Sequence, residues 1–309
     1  MTATPTRPQE RASYGERLHA RCLSARSRVC LGIDPRPHAH PLTDPGNSDD
    51  AEGVAESVVR FYHAILDASH ERLACVKPQS AFFEALGRPG QGALVELIAL
   101  AHRLGLPVIL DAKRGDIGTT AEAYASAYLG DGEVGADALT VSPYLGPDTL
   151  EPFLSRALAR ERAVYTLVAT SNPGAAAWQD LSTPDGRLVH EHVADHLQTL
   201  ASRHGRYKAV GAVVGATRGR RLEQLRARMP DVLLLLPGYG AQGARVSDVL
   251  AAFDADGTGA VVNASRSLVP GAAARDLEEV AGDARARVAA MADELEEALA
   301  SRGGQRSLG

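Results

Sequence analysis

Three charged side chains that could do chemistry stand close together in the sequence: Asp111, Lys113 and Asp116. They follow an apolar run, 107–110, that predicts a buried strand, so the charges are expected where the strand ends. Because side chains alternate across a strand, Asp111 and Lys113 are expected on the same side, whereas Asp116 lies past the turn at Gly115 and need not join them. The spacing predicts an Asp–Lys pair and a third charge aimed elsewhere.

Two interpretations of these charges are open from this stretch alone. In the first, the pair is a structural ion pair at a strand end, and Asp116 or Thr119 is the N-cap of the following helix. In the second, an ammonium group held between carboxylates at the mouth of a barrel acts as a general acid, with its protonated state fixed by its neighbours. Which of the two interpretations holds depends on the secondary-structure elements that position these charges.

The rest of the chain repeats one pattern, in which a short apolar strand with a polar end is followed by a segment long enough for a helix. The first strand ends in Asp34 and the second carries Lys77. Strands that are apolar on both faces are typical of a parallel sheet covered by helices. Eight candidates follow this pattern: 29–35, 73–78, 107–110, 136–142, 163–170, 209–215, 232–236 and 259–263.

Eight such units predict an α/β fold of the (β/α)8 TIM-barrel class, and 309 residues with 45% hydrophobic content suffice for one. A doubly wound open sheet is the alternative, but it usually carries a glycine-rich dinucleotide turn after strand one, unlike 34–37. We expect a disordered N-terminal arm at 1–12, a single barrel domain at 13–301 and a flexible C-terminal tail at 302–309. Within the domain, we predict a helix under the barrel at 14–27 and a C-terminal helix at about 272–300.

Composition and charge exclude several classes of protein. The net charge of −5 comes from 33 basic and 38 acidic residues scattered in both signs, which argues against a nucleic-acid partner. The start of the chain lacks an apolar targeting segment, and the longest apolar run, 232–237, is too short for a bilayer. These features predict a soluble cytoplasmic protein that does not bind membranes.

Cysteines and histidines give no sign of a metal site. Cys22, Cys30 and Cys75 are too few and too far apart for a disulfide framework or a Cys-x-x-Cys site, and we expect reduced thiols in the core. His38 and His40 lie in a Pro- and Asp-rich loop without a spaced carboxylate, which is typical of solvated histidines. We therefore predict no metal and no other cofactor.

A glycine-rich turn at 237–244 follows strand seven, and 263–266 follow strand eight. In barrels, these two loops form the usual phosphate site, because glycines let backbone N–H groups approach an anion. Arg266 would supply a bidentate positive charge and Gln242 a closing amide. An ordinary flexible loop with a surface arginine is the alternative, but the two signals together favour an enzyme that acts on a phosphorylated small molecule.

These residues resemble the orotidine 5′-phosphate decarboxylases of pyrimidine biosynthesis, in particular the longer bacterial sequences. The resemblance spans nearly all of the chain expected to be ordered. It rests on Asp34 of strand one, Lys77 of strand two and the motif Asp111-x-Lys113-x-x-Asp116-Ile117-Gly118-x-Thr120. It implies decarboxylation of orotidine 5′-phosphate to uridine 5′-phosphate and CO2, the last step of de novo UMP biosynthesis, by a cytoplasmic homodimer.

The resemblance also implies a role for each site residue. Lys113 would protonate C6 as CO2 leaves, Asp111 would face the departing carboxylate, and Lys77 and Asp34 would hold ribose hydroxyls. The remaining contacts implied are Asp116, Ile117 and Thr120 reaching into the partner subunit's site, Ser171 and Asn172 near the pyrimidine, and Gln242 and Arg266 on the phosphate.

Two other functions compete with this one. Related barrels act on keto-sugar phosphates with a similar Asp-x-Lys-x-x-Asp pattern, but they use Mg²⁺ and carry a Glu on strand two where this chain has Lys77. A barrel that binds a nucleotide without catalysis is the other alternative. The presence of Lys77, Asp111 and Lys113 together disfavours both.

Overall fold

The computed structural model describes residues 12–36, 41–43, 50–216, 219–240, 243, 245–271 and 274–306. Within these ranges, eight parallel strands alternate with helices, and the ladder order is β2-β1-β8-β7-β6-β5-β4-β3. Isolated bridges between β2 and β3, at Val76–Val108 and Gln79–Asp111, bring the two ends of the sheet together. The predicted (β/α)8 TIM barrel is confirmed. The strands are β1 Val29–Ile33, β2 Cys75–Pro78, β3 Ile109–Arg114, β4 Ala138–Val141, β5 Ala163–Ala169, β6 Val210–Val214, β7 Leu233–Pro237 and β8 Ala260–Ala264.

Helices cover the outside of the barrel, and their starts follow local capping rules. Helix α1 begins after Ser13, whose backbone N–H donates to Glu16 Oε2 at 2.7 Å in a capping box. Helix α2 begins after Asp50, whose Oδ1 accepts from the N–H of Glu52 at 3.1 Å. The helices are α1 Tyr14–Ala25, α2 Ala51–Ser69, α3 Ser80–Glu84, α4 Gly87–Arg103, α5 Gly118–Leu129, α6 Glu151–Leu158, α7 Ala176–Gln179, α8 Val189–His204, α9 Gly219–Arg228, α10 Val246–Val249 and α11 Leu277–Arg306.

The C-terminal helix α11 differs from its predicted bounds. It begins at Leu277 rather than near 272 and continues to Arg306, through part of the segment 302–309 that was expected as a tail. The arm 1–12 lies outside the described residues except for its last residue. Among the helices that the structure describes, we find none with the length and apolar character of a membrane span.

The floor of the barrel is apolar and is closed by α1, as the helical pattern of 14–27 predicts. Inward-facing residues of the strands pack there against Tyr14, Leu18 and Cys22. The hydroxyls of Tyr14 and Tyr165 lie 3.2 Å apart, and their rings meet edge to face. All three cysteines are buried free thiols, as predicted, and burial raises the pKa of Cys22 to about 12. Polar chemistry is therefore left to the opposite end, where the strands finish.

Candidate active site

Strand β3 carries the charges inside the ladder rather than after it. It runs to Arg114, whereas the apolar pattern predicted an end at Leu110. Its register with β4 pairs Leu110 with Leu139 and Arg114 with Val141, so three residues of β3 stand opposite Thr140 alone. This bulge keeps the backbone of 111–113 at the mouth of the barrel.

Lys113 lies in the bulge with a left-handed backbone, φ +48°. This conformation costs a non-glycine residue about 1–2 kcal/mol of backbone strain, and here the strain lies where the chemistry is expected. Asp111 and Lys113 do project to the same side, and Lys113 Nζ donates to Asp111 Oδ1 at 2.6 Å. Simple strand alternation is nevertheless an incomplete reason, because the bulge intervenes between the two residues.

The carboxylate of Asp111 is the centre of the site. Its Oδ2 accepts hydrogen bonds from Lys77 Nζ at 2.8 Å and from Gln79 Nε2 at 3.0 Å. Its Oδ1 accepts hydrogen bonds from Lys113 Nζ and, at 2.9 Å, from the Thr140 hydroxyl. Burial by itself raises the pKa of Asp111, but the two ammonium groups and these hydrogen bonds outweigh it and hold the pKa well below its ordinary value. Asp111 is therefore a permanent anion between two cations.

Lys77 lies on β2 and is only 4% exposed. Burial alone lowers its pKa, but the carboxylates of Asp111 and Asp34 outweigh this and raise it above the ordinary value. Asp34, at the end of β1, completes an alternating set of charges around the mouth. Its Oδ1 is buried and has no hydrogen-bond partner among the residues that the structure describes, although a buried carboxylate oxygen normally has one. The site thus contains an acceptor that is ready for a ligand hydroxyl.

Asp116, Ile117 and Thr120 lie past the bulge, and the side-chain hydrogen bond found for Asp116 is with its neighbour rather than with the charged array. Asp116 Oδ1 accepts from the N–H of Ile117 at 2.8 Å. The N-cap at Asp116 or Thr119 that belonged to the first interpretation is not formed, because α5 begins after Ile117 without a side-chain cap. The Ile117 side chain is 63% exposed, and Thr120 is exposed as well. Ile117 and Thr120 are therefore accessible to another molecule, whereas Asp116 is partly buried.

Arg114 holds the far end of the bulge. Its guanidinium lies 5.5 Å and 5.4 Å from the ring centres of Tyr124 and Tyr128, and it donates to the Tyr128 hydroxyl at 3.1 Å and to Glu84. Stacking and hydrogen bonding together fix a planar cation in place. The charged run 113–116 therefore includes a cation that supports the backbone rather than the site.

The glycine-rich turn after β7 adopts the conformation that only glycine accepts readily, with φ +101° at Gly238 and +70° at Gly240. A Cβ on Gly240 would lie 3.1 Å from the Ser267 hydroxyl, so the turn after β7 packs against the turn after β8. Arg266 is exposed there and lines a cavity of about 200 Å³ together with Asp34. The structure thus brings one predicted ribose residue, Asp34, and one predicted phosphate residue, Arg266, to the same cavity, whereas Lys77 does not line it. Gln242 lies outside the described residues.

Ser171 and Asn172 follow β5, and their contacts are with their own loop and with β6. Ser171 packs against Gly215, and Asn172 Oδ1 accepts from the Thr170 hydroxyl at 2.7 Å. The side chain of Gln179 bonds both the N–H and the hydroxyl of Thr170, at 2.9 Å and 2.8 Å, and so ties α7 to the strand end. These hydrogen bonds hold the loop in place at the end of β5.

Gln79 and Thr140 were missed from the sequence, although both contact Asp111 directly. The available signal was a polar residue inside an apolar strand for Thr140, and a polar residue directly after Lys77-Pro78 for Gln79. Which polar strand residue reaches the site depends on strand register, which the sequence pattern alone does not provide. In the described ranges, no group of three or more His, Cys, Asp or Glu side chains could hold a metal; His38 and His40 lie outside those ranges.

Comparison with known proteins gives one consistent result. A family model described as "Orotidine 5′-phosphate decarboxylase / HUMPS family" matches residues 27–281. Orotidine 5′-phosphate decarboxylases of Rhodopirellula baltica and Deinococcus radiodurans are each 46% identical to the chain, over 83% and 93% of it and 88% and 98% of their own lengths. A solved OMP decarboxylase of Leishmania donovani is 35% identical, with a TM-score of 0.71 over 91% of this chain and 99% of that one.

Proposed function

The chain belongs to the orotidine 5′-phosphate decarboxylase / HUMPS family, and from this premise we propose that it converts orotidine 5′-phosphate to uridine 5′-phosphate and CO2, the last step of de novo UMP biosynthesis. One observation carries the proposal beyond family membership. The Asp111 carboxylate is held between the ammonium groups of Lys77 and Lys113 at the mouth of the barrel.

This array suits a decarboxylation that has no electron sink. Loss of CO2 from C6 of the pyrimidine leaves a very basic carbanion, which a fixed ammonium group can stabilise electrostatically and then protonate. Lys113 is the cation in the proposed role, because its side chain is half exposed toward the mouth whereas that of Lys77 is buried. Asp111 would face the departing carboxylate, and its depressed pKa keeps it charged while it does so.

The remaining substrate contacts are those that the family resemblance implies, and two of the residues concerned line a cavity beside the array. The unpartnered Oδ1 of Asp34, together with Lys77, would take ribose hydroxyls. Arg266, on the same cavity, would bind the phosphate with Gln242. Ser171 and Asn172, which do not line this cavity, would contact the pyrimidine as the resemblance implies. Binding energy from the phosphate, which is remote from C6, can then be used to organise the charged array.

We include a homodimer with shared sites in the proposal, and three exposed side chains support it. Ile117, Tyr144 and Trp178 are 63%, 78% and 64% exposed, and they follow the neighbouring strands β3, β4 and β5. Tyr144 and Trp178 meet edge to face at 6.4 Å. Exposed apolar surface of this kind marks an interaction site, and a second copy of the chain would cover it while bringing Asp116 to the partner's mouth. We propose that this dimer works in the cytoplasm without a nucleic-acid partner.

Keto-sugar-phosphate chemistry is the competing function within the family. The cation Lys77 occupies the position on strand two where those enzymes are expected to carry a Glu for Mg²⁺, and its ammonium group already bonds Asp111. A metal ion there would stand beside a buried positive charge, which is unfavourable.

A spectrophotometric assay tests the proposal. Purified protein should consume orotidine 5′-phosphate with loss of the ultraviolet absorbance of the carboxylated pyrimidine, and uridine 5′-phosphate should accumulate in equal amount. Activity should survive exhaustive treatment with EDTA. Absence of turnover by well-folded protein would refute the proposal, whereas activity that EDTA removes and Mg²⁺ restores would support the keto-sugar-phosphate alternative.

A further inference from the structure

Thr140 is the one β4 residue that stands opposite the bulge of β3, and its side chain points into the barrel. It is 1% exposed. Its hydroxyl accepts from the backbone N–H of Lys113 and donates to Asp111 Oδ1, both at 2.9 Å. A threonine hydroxyl has one proton, so the two bonds fix its orientation completely.

The Thr140 hydroxyl supplies a hydrogen-bond acceptor where the backbone ladder between β3 and β4 is interrupted. The N–H of Lys113 falls where three residues of β3 face one of β4, and the regular pairing resumes only when the N–H of Ser142 donates to the Arg114 carbonyl at 2.8 Å. Without Thr140 Oγ1, the partly buried N–H of Lys113 and the Oδ1 of Asp111 would each lose a partner. The side chain thus connects the left-handed backbone of Lys113 to the carboxylate that its own ammonium group binds.

We propose that Thr140 is a positioning residue for the charged pair, setting where Lys113 Nζ and Asp111 stand relative to the reacting carbon. The inference rests on the proposed decarboxylation, and Thr140 itself need not touch the substrate. Misplacement of reacting groups by about 1 Å can cost on the order of 100-fold in rate. Binding of the phosphate and ribose involves other residues, so their contribution to affinity should persist.

The test compares Thr140→Val, which keeps the shape of the side chain without the hydroxyl, with Thr140→Ser, which keeps the hydroxyl. Thr140→Val should lower kcat by about 10- to 100-fold, with KM and the Kd for uridine 5′-phosphate changed by less than about 3-fold. Thr140→Ser should retain at least about half of the wild-type kcat. A purely structural threonine would not produce this separation of kcat from product affinity.

Thr166 provides the matched control, because it is equally buried but lies on the outward face of the next strand, β5. Thr166→Val should leave kcat near the wild-type value. Equal kcat in Thr140→Val and Thr166→Val would overturn the inference, as would a parallel loss in Thr140→Ser. An inactive wild-type protein in the same assay would instead refute the proposed function. If Thr140→Val does not fold, Thr140→Ala compared with Thr140→Ser gives the same test.

Discussion

Replacing Asp111 with Asn should destabilise the fold in a way that depends on pH. The substitution leaves the ammonium group of Lys77 buried without its closest counter-charge, whereas the half-exposed Lys113 can turn toward water. Removing one partner of a buried ion pair typically costs about 3–5 kcal/mol. Lys77 can avoid carrying an unpaired buried charge by losing its proton. At pH 7, deprotonating a lysine with an ordinary pKa near 10.4 costs about 4.6 kcal/mol.

The sign of the pH dependence follows from the same groups. In the wild type, the pKa of Lys77 is raised, so its contribution to stability is complete below its unfolded pKa and is lost only as pH rises above it. The pKa of Asp111 is lowered, so its contribution is lost only at acid pH. In the variant, Asp34 is the counter-charge that remains near Lys77, so the pKa of Lys77 should fall below its wild-type value. If Lys77 is neutral in the folded variant, the loss of unfolding free energy relative to the wild type should decrease by about 1.4 kcal/mol for each pH unit between 7 and 9.

Urea-induced unfolding followed by circular dichroism at pH 7, 8 and 9, at one protein concentration, measures this change. Asp137→Asn is the matched control, because Asp137 is also largely buried and bonded, to Arg17 at 2.8 Å, His102 at 2.9 Å and the Val108 N–H at 2.9 Å. Arg17 keeps its charge throughout this range, and an ordinary histidine is neutral at pH 8 and 9, so the cost at Asp137 should stay level between those two pH values. A cost at Asp111 below about 1 kcal/mol, or one that is the same at all three pH values, would refute the account of Lys77 as a buried cation that depends on Asp111.

Two further predictions concern the substrate and the dimer. Arg266→Ala should weaken capture of orotidine 5′-phosphate by about 2–5 kcal/mol in kcat/KM while barely changing the slow reaction of orotidine without phosphate; equal losses would mean that Arg266 acts elsewhere. Lys113→Ala and Asp116→Ala should each be nearly inactive alone, but their mixture after subunit exchange should regain roughly a quarter of wild-type activity, because half of the dimers are hybrids with one intact site. No recovery, with exchange shown independently by mass spectrometry, would mean that Asp116 serves its own chain.

The sequence predicted most of the fold because each strand is short, apolar and separated from the next by a helical segment. It also predicted that Asp111 and Lys113 would meet, because they share a strand. It did not predict the bulge that holds Lys113 in a left-handed conformation, since a bulge depends on how β3 registers against β4. For the same reason, Thr140 read only as one polar residue in an apolar strand.

The glycine-rich turn shows the other limit of sequence reasoning. Its composition indicated an anion site, but its packing against Ser267 and the cavity shared by Arg266 and Asp34 depend on the distance between the ends of β1, β7 and β8. Likewise, one of the two interpretations of the charged stretch had Asp116 or Thr119 as the N-cap of α5, whereas the Asp116 carboxylate accepts from the N–H of Ile117. Residue type indicates the chemistry, and tertiary geometry decides which atoms take part.

The seam of the barrel runs between β2 and β3, where isolated bridges replace a continuous ladder. Lys77 lies on one side of that seam and Asp111 on the other, so their 2.8 Å ion pair spans the place where the cylinder is least firmly joined. Local opening of the barrel between β2 and β3 therefore also breaks the ion pair between Lys77 and Asp111. Backbone amides of β2 and β3 should exchange hydrogen sooner than those of β5 and β6, and an occupied site, by holding the charges together, should slow that exchange.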